Sequence, residues 1–109
     1  MSTVTLTEIK TLLETTKLPV VYNAWQVGDA PVLPYIVYRQ TGVNNFAADN
    51  KVHFTALDVD IDLYTAVKSP ETEALVETAL SGIYWTKTET YLDTEKCYEI
   101  VYEIEVKNT

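Results

Sequence analysis

DVDIDLY, residues 58–64, sets three aspartates at alternate positions, with Val59, Ile61 and Leu63 beside them. Asp58, Asp60 and Asp62 match the first half of a calcium loop, D-x-D-x-D. The match fails beyond that point. Leu63 stands where the loop's sharp turn needs glycine, and Ser69 where a bidentate glutamate belongs. The strict period of two is that of a strand whose odd residues enter a core and whose aspartates face outward. Aspartate is a poor strand former and like charges on one strand face repel, so the carboxylates must stay in water or be offset.

The strand pattern runs back to Lys51. Even positions are apolar at Val52 and Phe54, odd ones from Leu57 onward. A change of parity exchanges the two faces of a strand, so a bulge is expected near Thr55–Ala56. Downstream, Ser69 caps a helix with Pro70 at its first position and Glu71 and Glu73 at its positive end. Leu75, Val76, Ala79 and Leu80 form the expected buried stripe, and Gly82 fits a left-handed stop. Two strands follow, near 84–92 and 97–107, joined by Asp93–Lys96 as a hairpin. The last alternates cleanly, with Tyr98, Ile100, Tyr102, Ile104 and Val106 on one face and Glu99, Glu103 and Glu105 on the other.

Upstream, Thr5-x-x-Glu8 is a capping box, with Val4 and Ile9 placed as a hydrophobic staple. Leu6, Ile9, Leu12 and Leu13 make a helical stripe that ends by Lys17, before Pro19. LPVVYNAW gives a strand near 19–25, QVGDAPVLP a loop, and YIVYRQT a second strand. GVNNFAADN, residues 42–50, is too polar and turn-rich for a regular element. The order α-β-β-β-α-β-β, with hairpin-length connections, predicts an α+β fold. It is a mostly antiparallel sheet of about five strands with two helices on one face. At 109 residues, the chain is expected to form a single domain over 1–109.

Residues 1–57 hold four basic and four acidic side chains, whereas residues 58–109 hold four lysines and twelve acids. The whole net charge of −8 therefore lies in the second half. No basic footprint for nucleic acid exists, and phosphate-backbone binding is not expected. No apolar run approaches the ~20 residues of a membrane span. A lone Cys97 and a start without a basic, apolar leader point to a reducing, cytoplasmic setting.

Chemistry finds little support. His53 is the only imidazole, Cys97 has no motif around it, and three glycines form no phosphate loop or nucleophile turn. No pair among the many carboxylates has a reason to hold separated pKa values. We expect no catalytic residues, metal site or cofactor. The eight tyrosines admit two readings: contact residues of an interface, or good strand formers lining the sheet at Tyr38, Tyr98 and Tyr102. Trp25 and Trp85 read as packing residues.

Taken in order, LPVVYNAW, PYIVYRQTG, NNFAADN, VDIDLYT and ETEALVETAL resemble the tail-completion, or tail-terminator, proteins of long-tailed phages and prophages of Gram-positive bacteria. The similarity runs from about Leu6 to Val106. It implies an assembly role. Such proteins form a ring, commonly of six subunits, that caps the tail tube and then meets the head connector, with DNA passing through unbound. It further implies host cytoplasm during assembly and then the virion tail. On this model Tyr35 belongs to the central sheet, and the 42–50 loop, with Asn44, Asn45 and Phe46, reaches a neighbour or the tube. Asp58, Asp60, Asp62, Glu99, Glu103 and Glu105 then become candidates for a phosphate-repelling channel wall. Alternatively, acidic strand faces prevent uncontrolled sheet addition. Another head–tail connector or head-closure protein, or an acidic inhibitor mimicking DNA, are the competing functions.

Overall fold

The computed structural model describes residues 4–48 and 51–107, with only the backbone course given for 46–48 and 51–54. Seven elements follow in the expected order: α1 (Leu6–Glu14), β1 (Val20–Tyr22), β2 (Tyr35–Ala48), β3 (Lys51–Thr65), α2 (Pro70–Ala79), β4 (Thr86–Leu92) and β5 (Cys97–Lys107). The strands form one sheet in the order β1-β2-β3-β5-β4. β1 runs parallel to β2, and every other pairing is antiparallel. The fold is α+β.

The period-two reading of β3 and β5 holds in the core. Val59, Ile61, Leu63, Ile100, Tyr102 and Val106 have no exposed surface, and Ile104 is nearly as deep. They pack with Ile36 and Tyr38 of β2 against Ile9 and Leu13 of α1, Val76 of α2 and Leu80 at its C-cap. Both helices therefore cover one face of the sheet. Burial of such side chains is worth about 1.5–3 kcal/mol each, enough to hold short helices that would not persist alone. No helix among the described residues is long and apolar enough to cross a membrane.

The helix starts follow their caps. Thr5 and Glu8 complete the capping box of α1, and the Ser69 hydroxyl accepts from the Thr72 amide at the head of α2. Two details of α2 differ from expectation. Leu75 is 46% exposed, because the inner face is set by Glu73, Val76 and Leu80. The helix ends at Ala79, and its C-cap is Leu80 (φ −97°). Gly82 is absent from the positive-φ positions, so it supplies no left-handed stop.

The larger correction is β2. Residues 42–48, expected as loop, continue the strand and pair with β3. The polar side chains that argued against a strand are satisfied across it. Asn44 Nδ2 donates to Asp58 (2.9 Å) and Glu105 (3.2 Å), and Thr55 Oγ1 donates to Asn45 Oδ1 (2.9 Å). Weak strand propensity yields to such cross-strand pairing. The register shifts twice, at Thr41 between Gln40↔Val59 and Gly42↔Asp58, and at His53 between Phe54↔Phe46 and Val52↔Ala47. The bulge of β3 thus falls at His53, whereas Thr55 and Ala56, where it was expected, lie in regular register.

Candidate functional site: an acidic sheet face

The sheet face turned away from the helices collects the acidic residues of β3 and β5. Asp58 stands opposite Glu105, Asp60 opposite Glu103, and Tyr64 opposite Glu99. Asp58, Asp60, Asp62, Glu99, Glu103 and Glu105 therefore share one face, as their spacing implied. Thr41, Asp58, Asp60 and Glu103 border a shallow polar depression of about 350 Å³. Gly42 opens the space beside it, because a Cβ there would lie 3.1 Å from Asp58 Oδ2.

The offset that the opening pattern demanded comes in three forms. Asn44 bridges Asp58 and Glu105 with its two amide bonds. The Tyr64 hydroxyl donates to Glu99 (2.8 Å), and that bond, after burial, raises the Tyr64 pKa. Arg39 reaches the Asp62 carboxylate at 3.9 Å from a half-exposed position. The remaining repulsion is visible at Asp60, whose pKa is raised by burial and by Glu103, against the pull of Arg39.

Asp62 departs from the outward placement expected of it. It is 1% exposed, and its Oδ1 lacks a hydrogen-bond partner. Burial, opposed by Arg39 but reinforced by Glu99 and Asp60, pushes its carboxyl up to about 6. Over this part of the face lies the 23–34 loop. Its Trp25 packs edge-on against Tyr35 (5.7 Å), which in turn meets Tyr64 (5.4 Å). Asn23–Gly28, Tyr35, Val37, Arg39 and Tyr64 border a common cleft. The face therefore has two zones, an open carboxylate field at Asp58–Glu105 and an aromatic lid at Trp25–Tyr35–Tyr64.

Tyr35 sits in the lid, and Asn44 and Asn45 lie on β2, Asn45 exposed. The Phe46 and His53 side chains lie outside the described residues. Among the described residues, no group of three or more His, Cys, Asp or Glu side chains is placed to hold a metal ion. Cys97 is buried at the head of β5, its thiol raised by burial and then by Glu95 and Glu99. This face can repel anions or receive cationic side chains.

Sequence reading missed a second charged cluster, on the helix side. Glu73, 3% exposed, lies between Lys68 (2.7 Å) and Lys87 (2.6 Å). Lys87 also meets Glu77 (2.7 Å), which accepts from the Tyr102 hydroxyl (2.9 Å), and Lys68 meets Glu89. The cluster ties α2 to β4. Its only signal in the sequence was Glu73 falling one helical turn before Val76 and Glu77, on the inner stripe.

No protein-family model matches the chain, and no curated protein matches it at a significant level.

Proposed function

We propose that the chain is a virion assembly protein, a tail terminator whose copies close a ring on the tail tube and later meet the head connector. The observation that carries this reading is the gathering of Asp58, Asp60, Glu99, Glu103 and Glu105 on one helix-free sheet face. A curved sheet with helices outside and this face inside gives a negatively charged lumen. DNA phosphates are repelled from such a wall over about 10 Å at 0.1 M salt, so the genome passes without adhering. The residues act through shape and charge, and no bond-making step is assigned to them. The chain works in the host cytoplasm during assembly and ends in the virion tail.

The test is a tail-tube assembly reaction with the major tail protein and tape-measure protein, run with and without the chain. Addition is expected to cap tubes at one end and stop further growth. Tubes that keep elongating with no density at their ends contradict the proposal. Capping by a protein that instead bridges filled heads to finished tails favours the head-connector alternative.

A further inference from the structure

The two sides of the sheet end differently. β4 forms one side, and its register with β5 is unbroken from Thr86↔Glu103 to Leu92↔Cys97. Edge strands are usually guarded by proline, a bulge or charged side chains. β4 has no proline or bulge. Its sequence, TKTETYL, lacks proline and glycine, and both its charges are satisfied within the chain, Lys87 by Glu73 and Glu77 and Glu89 by Lys68. Thr86, Thr88 and Thr90 are exposed. A row of backbone donors and acceptors is left open.

On the other side, β1 covers β2 only at Ile36–Tyr38. Among the described residues, the rest of β2 has β3 on one flank and no strand on the other. Beyond Ala56↔Lys107, β5 also stops, and the sheet narrows to a two-stranded arm. Residues 51–55 of that arm span roughly 15 Å at about 3.3 Å per residue. The arm fits a Cα radius of gyration of 15.0 Å, against about 13 Å for a compact domain of this length. An isolated two-stranded ribbon is marginal in water, so this one gains most from a further strand.

We infer that the open edge of β2 beyond Thr41 pairs with β4 of a second copy, extending the sheet head to tail. Charge selects this occupant. From Gln40 to Ala48 the chain carries no charged residue, although its net charge is −8. Meeting β4, whose own charges are neutralised, this edge lets two acidic copies approach without repulsion. Because the two edges lie on opposite sides of one sheet, every copy keeps its acidic face on the same side. Such a heterologous contact closes into a ring or runs on as a filament. The pairing stands on the edges themselves, and only its closure rests on the tail-end reading.

Hydrogen exchange followed by mass spectrometry, across a concentration series monitored by sedimentation, tests it. Association is expected to slow exchange in residues 86–92 and 39–48 together. Val43→Cys or Asn45→Cys, combined with Tyr91→Cys, is expected to give an oxidised ladder of covalent oligomers that reductant collapses. Rings whose new protection lies elsewhere overturn the pairing and leave the proposed function intact. Filaments with the expected protection that never cap tubes support the pairing and overturn the function. A chain that stays monomeric at every soluble concentration and on tube ends overturns the pairing.

Discussion

Asp62 is the residue at which the opening pattern and its environment conflict most. Its folded pKa, about 6, exceeds the ordinary 3.8, so between these values the folded state holds a proton that the unfolded chain releases. Stability from this group therefore falls as pH rises from about 4 to 6, and the penalty is complete above that window. Asp62→Asn is expected to stabilise the protein at pH 7 by about 1–3 kcal/mol and to flatten that slope. Urea unfolding of both proteins across the pH range measures it, and parallel curves contradict it. Glu73 has the opposite sign. Burial pulls its pKa up, but Lys68 and Lys87 outweigh that and hold it below the usual 4.5. Its contribution is present above that value and lost as pH falls further. Glu73→Gln is expected to cost about 1–3 kcal/mol at pH 7, less than a fully buried pair because both lysines reach solvent. In thermal melts the gap should shrink in acid; a constant gap counts against the ion pairs.

At the scale of elements, the strands and helix starts were legible because they rest on local rules. Val59, Ile61 and Leu63 obey period two, and Thr5 and Ser69 cap as their types dictate. Thr5→Ala is expected to cost about 1 kcal/mol and to speed amide exchange in the first turn of α1; unchanged exchange contradicts the cap's role. The far half of β2 was illegible because its strand character comes from partners remote in sequence. Asn44 reads as a turn residue until Asp58 and Glu105 are placed beside it. Gly42 reads as a break, yet it makes room for the Asp58 carboxylate. Gly42→Ala is expected to displace that carboxylate, weaken its bond from Asn44 and destabilise the protein by about 1 kcal/mol. Equilibrium unfolding checks this, and an unchanged midpoint contradicts it.

For the whole molecule, the sign and position of the charge were readable from residues 58–109, but the division of that charge between two faces was not. Strand parity placed Glu99, Glu103 and Glu105 opposite the core. It carried no information about α2, whose Glu73 and Glu77 join Lys68 and Lys87 on the helix side. Nor could parity announce the 23–34 loop packing on this face of the sheet, where Trp25 meets Tyr35. What remains open to solvent is a carboxylate field on a sheet with two open edges. In the proposed assembly, copies join through those edges and turn the field toward a central passage. Electron cryomicroscopy of the chain bound at tail-tube ends tests this most directly. A closed ring with Asp58, Asp60, Glu103 and Glu105 lining its lumen is expected. A ring carrying them on its outer circumference, or tube ends left bare, would contradict it.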